Sequence, residues 1–306
     1  MNKINLKLII WGIISALAVF SAFASASFSA FLLFITMAVF SMFIVFIASH
    51  PAVRFFAGII SMAGAYFAAG AGGCVSCILF VIVPALVMVF SIKSTKDFAV
   101  TLCSGTFAAC IGVIIYDRFV IPSNSGGIRV IFSSAVDAVS ESWLLLIKQL
   151  SEQSGVDFSS TADMLSGYFY SIKLMLPALV IIVALLVMYL VLLASRRFII
   201  NIPIPPFFAL RASKTIAYVY CIGYIFSMFV TSDMSFVFSN AVAVLSVVLT
   251  VCGISLLRFF TKLIPSKVLS VIVFIFSVVV CSYIPFVFIT AGTVDAIIDF
   301  RRRRKW

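Results

Sequence analysis

Long apolar runs, repeated from end to end and parted by short gaps, constrain this chain more than any other feature. About 20 consecutive apolar residues cross the hydrocarbon core of a bilayer as a helix. Runs of that order fall at roughly 8–26, 28–48, 55–71, 74–92, 98–116, 168–195, 213–231, 235–257 and 268–291. In lipid the backbone must satisfy its own hydrogen bonds, so such runs take helical form. The expected fold is therefore all-α: a polytopic membrane helical bundle of roughly 8–9 spans, read as one membrane domain over 1–306. Composition excludes a water-soluble domain. The chain is 64% hydrophobic with a mean hydropathy of +1.28 and is only 10% charged, against ~25% in soluble domains.

The formal charge of +11 would ordinarily raise nucleic acid as a partner. Here the cations sit mostly in the short gaps, the pattern of topology determinants and anionic-lipid contacts. The partner expected from charge is the lipid bilayer, with no nucleic acid. Lys3 and Lys7 precede the first run, which continues without a convincing cleavage site and reads as a retained span. His50 and Arg54 follow the second run, Lys93 and Lys96 the fourth, Arg196 and Arg197 the sixth. Arg211 and Lys214 precede the seventh, and Arg258, Lys262 and Lys267 follow the eighth. The alternate gaps, 25–27, 70–73 and 231–233, carry no cation. A cytoplasmic N-terminus puts every short basic gap on the cytoplasmic side.

The ninth run conflicts with this alternation. It ends in a basic tail, 299–306, with Arg301, Arg302, Arg303, Arg304 and Lys305 in succession. An odd number of crossings would place those cations outside, against the charge rule. The preferred resolution is that 268–298 is a broken pair or re-entrant segment, interrupted at Pro285, which lacks a backbone donor, and near Gly292. The tail is then cytoplasmic. The alternative, that the glycine-rich run 55–71 does not cross, would invert everything after it.

One long gap, 117–167, is expected outside as an amphipathic insert between spans five and six. Phe132, Val136, Val139, Trp143, Ile147 and Leu150 recur at helical spacing, with Ser133, Asp137, Ser140, Glu141 and Lys148 between them. A cover for apolar surface and a gate over a cavity both fit that pattern.

Chemistry-bearing motifs are scarce. Cys74-Val75-Ser76-Cys77 is a CxxC pair, but it opens an apolar run, has no second pair and shares the chain with a single histidine, His50. A structural zinc needs about four N/S ligands, so no metal is expected, nor any other cofactor, and no catalytic residue is assigned. Polar groups within spans are better pointers, because lipid makes them costly. The weak substrate-binding candidates are Lys173, Asn240 and Asp295. For Lys173 the plain role is snorkelling, for Asn240 an interhelical hydrogen bond, and for Asp295 pairing with a cation of the tail. Arg196, Arg197 and the run Arg301–Lys305 are read as topology and lipid anchors.

A family resemblance rests on the last third. Leu193-Ala194-Ser195-Arg196-Arg197 followed by Ile204-Pro205-Pro206-Phe207-Phe208-Ala209-Leu210, within a basic linker at 196–214, resembles the double-basic and Pro-Phe linker of the YybS-like family of bacterial multi-pass membrane proteins. Asn240 followed by Gly253-Ile254-Ser255 resembles its next pattern. Gly292-Thr293-Val294-Asp295-Ala296-Ile297-Ile298-Asp299-Phe300-Arg301 resembles its terminal signature. The linker departs from the family at Ala209-Leu210-Arg211-Ala212, where an aromatic and a proline usually follow. The resemblance implies a bacterial cytoplasmic membrane protein whose first half is similar to the substrate-binding subunits of energy-coupling-factor transporters. It implies small-molecule capture, with a separate ATPase module as partner, since this chain has no nucleotide-binding motif. The other readings are a non-transporting scaffold or regulator and, third, a membrane-embedded lipid enzyme. The expectation is that the chain is not an enzyme.

Overall fold

The computed structural model describes residues 3–25, 27–48, 51–121, 126–154, 156–196, 205–230 and 234–303. The fold is all-helical, about 90% helix with no strand among the described residues. In chain order the helices are α1 (Lys3–Ala24), α2 (Phe28–Ala48), α3 (Pro51–Cys77), α4 (Val83–Thr95), α5 (Phe98–Phe119), α6 (Gly127–Ser154), α7 (Ser159–Leu174), α8 (Leu176–Ser195), α9 (Lys214–Phe229), α10 (Met234–Thr261), α11 (Lys267–Ser282), α12 (Phe286–Ile298) and α13 (Phe300–Arg303). Among the described residues, six continuous helical stretches suffice by length and composition to cross a membrane, or seven if the bent pair α11–α12 counts as one. They begin at Ala30, Pro51, Phe98, Gly127, Leu176 and Met234.

The stretch Pro51–Thr95 is not a single rod. At Ala69 (φ −143°, ψ 19°) and Gly70 (φ 62°, ψ −151°) the backbone leaves the helical region. The Cys74 thiol then reaches the Met62 carbonyl at 3.4 Å, although twelve residues of straight helix would part them by about 18 Å. The chain thus doubles back at Gly70, whose positive φ suits glycine. Gly73 meets the Ala65 carbonyl so closely that a Cβ would collide with it. The expected runs 55–71 and 74–92 are the two arms of this hairpin. A π-helical turn, Ile78–Ile82, leads the second arm into Pro84, which has no N–H for an ordinary turn.

The chain divides into two compact units. The first comprises residues 1–173 and 183–204, the second 174–182 and 205–306. In the first, Val19, Val39, Met42, Phe43, Val81, Met88, Val191 and Leu192 form a buried apolar core. Close approach is set by small residues: Gly64 lies against the Ala16 carbonyl, where a Cβ would sit 2.8 Å from the oxygen, as small-residue helix interfaces in lipid do. Ser61 donates to Ser15 (3.1 Å), and Ser15 donates to the Ala38 carbonyl (3.4 Å), tying α1, α2 and α3 together.

One expectation needs correction. The run 168–195 is not one helix: α7 ends at Leu174 and α8 starts at Leu176, because Pro177 removes a donor at the junction. Lys173 lies in the last turn of α7, before that break. The insert contains the helix α6, as the periodicity implies. Within α6 Val136 and Ser140 are buried, while Val139, Trp143 and Leu150 are about half exposed, and Gly127–Ser154 is itself one of the stretches long and apolar enough to cross a membrane.

In the second unit the run after Lys267 breaks where Pro285 lies. The chain bends by 114° between α11 and α12, and the Tyr283, Ile284 and Val287 amides donate to carbonyls three residues back, as Ile284 to Cys281 (3.0 Å) and Val287 to Ile284 (3.0 Å). Gly253 of α10 and Gly292 of α12 form a backbone-to-backbone crossing. A Cβ on Gly253 would collide with the Phe288 carbonyl, and one on Gly292 with the Leu249 carbonyl.

Candidate functional site

The polar residues of the second unit gather where α12 ends. Asp299 adopts φ 59°, ψ 60°, a left-handed conformation that aspartate tolerates better than most residues. That turn sends α13 back, so Arg301 faces Asp295. In a continuous helix residues six apart would point to different faces. The Arg301 Nε lies 3.0 Å from Asp295 Oδ2, with the two side chains 10% and 1% exposed. The N–H is not aimed as a hydrogen bond, so the attraction is coulombic. The other guanidinium nitrogens are used elsewhere: NH1 donates to the Phe208 carbonyl (2.6 Å) and Ser255 Oγ (3.2 Å), and NH2 points to the Cys252 carbonyl (3.4 Å).

The linker is fixed by the same residues. Ser255 Oγ lies within donating distance of the Phe207 and Leu210 carbonyls, at 2.6 and 2.9 Å. A short 3₁₀ turn, Phe207–Ala209, presents these oxygens. Arg211 pairs with Asp299 at 2.7 Å and donates to the Ala296 carbonyl at 3.1 Å. The Lys262 ammonium sits 3.4 Å over the Phe208 ring, a cation–π contact. Two ion pairs, Arg301–Asp295 and Arg211–Asp299, and the bonds of Ser255 thus join linker, α10, α12 and tail into one polar node. Arg301 is a structural tie in that node. Sequence reasoning does not single out Arg211 and Ser255 as site residues, although both lie within or beside the quoted linker and glycine-serine patterns.

Asn240 does a different task. Pro177 cannot donate, and the Ala178 N–H gives its bond to Asn240 Oδ1 (3.0 Å). Asn240 Nδ2 donates to the Leu174 carbonyl (3.2 Å) and to Phe236 of its own helix (2.8 Å). The amide is inserted into the α7–α8 break, replacing one lost backbone bond by two side-chain bonds. This is the interhelical hydrogen bond expected of Asn240, now with its reason. Lys173 instead forms an ion pair with Asp137 of α6, both partly exposed, so it is not a lone cation snorkelling from a span. The structure does not bring Lys173, Asn240 and Asp295 together through any described contact.

Of the other anchors, Arg196 is exposed in the turn after α8 and Arg302 and Arg303 lie in α13. Arg197, Arg304, Lys305, His50 and Asp233 lie outside the described residues. Among the described residues, no three His, Cys, Asp or Glu side chains cluster as a metal site. An open groove of about 550 Å³ beside α12 is lined by Leu256, Phe286, Val287, Thr290, Ala291, Val294 and Phe300.

Residues 31–296 match the model of a family described as "Predicted membrane protein (DUF2232)". The chain belongs to the DUF2232 family. The match starts in α2 and closes one residue after Asp295, so the DUF2232 region contains Asn240, Gly253, Ser255, Gly292 and Asp295 but stops short of Asp299 and Arg301. No curated protein and no solved structure matches the chain. Family and apolar helices together make this DUF2232 chain a multi-pass membrane protein in contact with the lipid bilayer.

Proposed function

We propose that the chain is a small-molecule-binding subunit associated with transport, in which the first compact unit captures the solute and the second connects to a separate ATPase module. The observation that carries this reading is the division of the chain. The first unit, 1–173 with 183–204, coincides closely with the half whose resemblance is to energy-coupling-factor substrate-binding subunits. Of the YybS-like motifs, the double-basic stretch lies in the first unit, whereas the Pro-Phe stretch from Pro205, Asn240 with Gly253-Ile254-Ser255, and the terminal signature lie in the second, where linker and tail residues form one node. Discontinuous helices such as α11–α12 are also common where transporters bind or couple.

The topology that fits is an N-terminus inside and eight crossings, counting the two hairpin arms after Pro51 and keeping α6 outside as the amphipathic insert although it is long and apolar enough to cross, followed by a returning α11–α12 pair that leaves the tail inside, in the bacterial cytoplasmic membrane. Arg301 touching Phe208 supports this, since it puts the tail on the face of the basic linker. Solubilisation of the chain from its native membrane in mild detergent tests the functional reading. A stoichiometric ATPase partner and a bound small molecule are expected, and their joint absence sinks it.

A second reading, a non-transporting scaffold or regulator, is favoured by one observation. Asn240 and Arg301 spend their polar groups on the fold and are not free to hold a solute. Recovery of stable protein partners without a small molecule would select it. A lipid enzyme is the least supported reading, because the Asp295 carboxylate is engaged by Arg301; turnover of a lipid lost in Asp295→Ala and Lys173→Ala would revive it.

A further inference from the structure

Arg301 leaves part of its own pocket unused. Around its side chain stand the Phe208 and Cys252 carbonyls, Ser255 Oγ and the Asp295 carboxylate. The Phe259 ring lies 5.9 Å from Arg301 Cζ. The Ser255 proton has acceptors in the linker, the Phe207 and Leu210 carbonyls, so its lone pairs are left to the guanidinium. The lining is thus a set of acceptors, one negative charge and one ring. A guanidinium matches it in kind, with five donors, a planar positive charge, no acceptor, and a face that stacks on aromatic rings.

The match fails at one place. Asp295 is fully buried, yet among the described residues neither of its oxygens accepts a hydrogen bond, and Arg301 Nε donates none. A carboxylate facing a guanidinium frequently takes two parallel N–H bonds from its fork. Arg301 arrives over the left-handed turn at Asp299 and commits both terminal nitrogens to Phe208, Ser255 and Cys252. That tether leaves only Nε toward the carboxylate. The pocket residues all lie within the matched region 31–296, whereas Arg301 lies beyond it.

We propose that this pocket is a binding site for a ligand carrying a guanidinium group, and that Arg301 is its resident plug. A guanidinium not tethered through Asp299 presents two N–H groups to Asp295 and its remaining donors to the Phe208 and Cys252 carbonyls, while Arg301 leaves with the tail. Ligand binding and tail release are then one equilibrium. The apparent affinity of the intact chain is lowered by the fraction of molecules in which the pocket is open. The site does not rest on the transport reading.

The test uses the full chain in one detergent, with methylguanidinium as the probe. In Arg301→Ala the pocket is vacated and Asp295 loses its partner, so methylguanidinium should raise the thermal midpoint saturably. Methylammonium has the charge without the fork and should do so far less, and sodium chloride at the same ionic strength not at all. Arg301→Ala combined with Asp295→Asn carries no unpaired buried charge. In that variant the probe should bind roughly 30-fold more weakly, the loss expected when a buried charge partner is removed. In the parent chain, methylguanidinium should quicken amide exchange over 299–303. A blocked arginine tripeptide that binds more tightly than free L-arginine identifies the ligand as a protein side chain, and the reverse order identifies a small molecule; both agree with the site. Equal rescue by methylammonium, rescue that does not saturate, or tail exchange unaltered at saturating probe would each overturn the proposal. Exchange in the parent decides the matter even if Arg301→Ala fails to fold.

Discussion

Arg301 Nε stands 3.0 Å from Asp295 Oδ2, in a place where the aspartate side chain is 1% exposed. A buried pair of this kind adds little net stability against an apolar substitute, but removing one partner leaves an uncompensated buried charge. Arg301→Ala is expected to destabilise the chain by about 3–5 kcal/mol. Arg301→Lys should recover only part of this loss, because one ammonium cannot reproduce the fork that reaches Phe208, Ser255 and Cys252. Denaturant unfolding in a fixed detergent measures both. A variant as stable as the parent would show that the node does not hold the second unit together.

Asn240 should matter because of Pro177. Asn240→Leu leaves the Ala178 N–H and the Leu174 carbonyl without their partner, at a cost of about 1–3 kcal/mol. In a Pro177→Ala background the backbone regains a donor at the junction, so the same substitution should cost clearly less. A double-mutant cycle reads the coupling. Strict additivity would contradict the account of a bridged helix break.

The crossing of α10 and α12 admits no side chain at its centre. Gly253→Ala and Gly292→Ala each force a Cβ onto a carbonyl of the facing helix. Overpacking typically costs about 1–3 kcal/mol, and a backbone oxygen cannot swing aside, so the upper part of that range is expected. Gly167→Ala is the control, since a Cβ there meets nothing within 4 Å. Thermal unfolding of the three variants in one detergent distinguishes them.

Outside the spans, Asp157 accepts hydrogen bonds from the Ser159 N–H (2.8 Å) and hydroxyl (3.2 Å) at the start of α7. These bonds hold its carboxyl below the ordinary 3.8. A depressed folded value means the contribution is present above the unfolded pKa and lost as pH falls through the folded one. Amide exchange in the first turn of α7 should therefore quicken relative to α6 on acidification below about 3.8, and Asp157→Asn should remove most of that pH dependence.

Membrane residence, the helical class and the Pro285 break were legible because they follow from run length and from a residue without a donor. The hairpin at Gly70 was legible as two runs with a glycine-rich gap. The pairing of Asp295 with the tail was legible as charge, yet the choice of Arg301 among five cations depends on the left-handed turn at Asp299, which no periodicity announces. The split of 168–195 was hidden because apolar residues on both sides of Pro177 keep the run continuous, and Asn240, more than 60 positions away, repairs the break. Contacts of such sequence separation leave no local trace. Ser255 was visible only as a motif letter, since its task is to meet carbonyls 45 and 48 residues earlier.

The central claim is that α11–α12 returns and that the tail shares the cytoplasmic face with the basic linker. A cysteine-free chain carrying a single cysteine at Ala209, and another carrying one after Trp306, can be labelled with a membrane-impermeant maleimide in intact cells and in inside-out vesicles. Both positions are expected to react in the vesicles and to stay protected in cells. Labelling of the terminal cysteine from outside intact cells, with the linker cysteine protected, would contradict it.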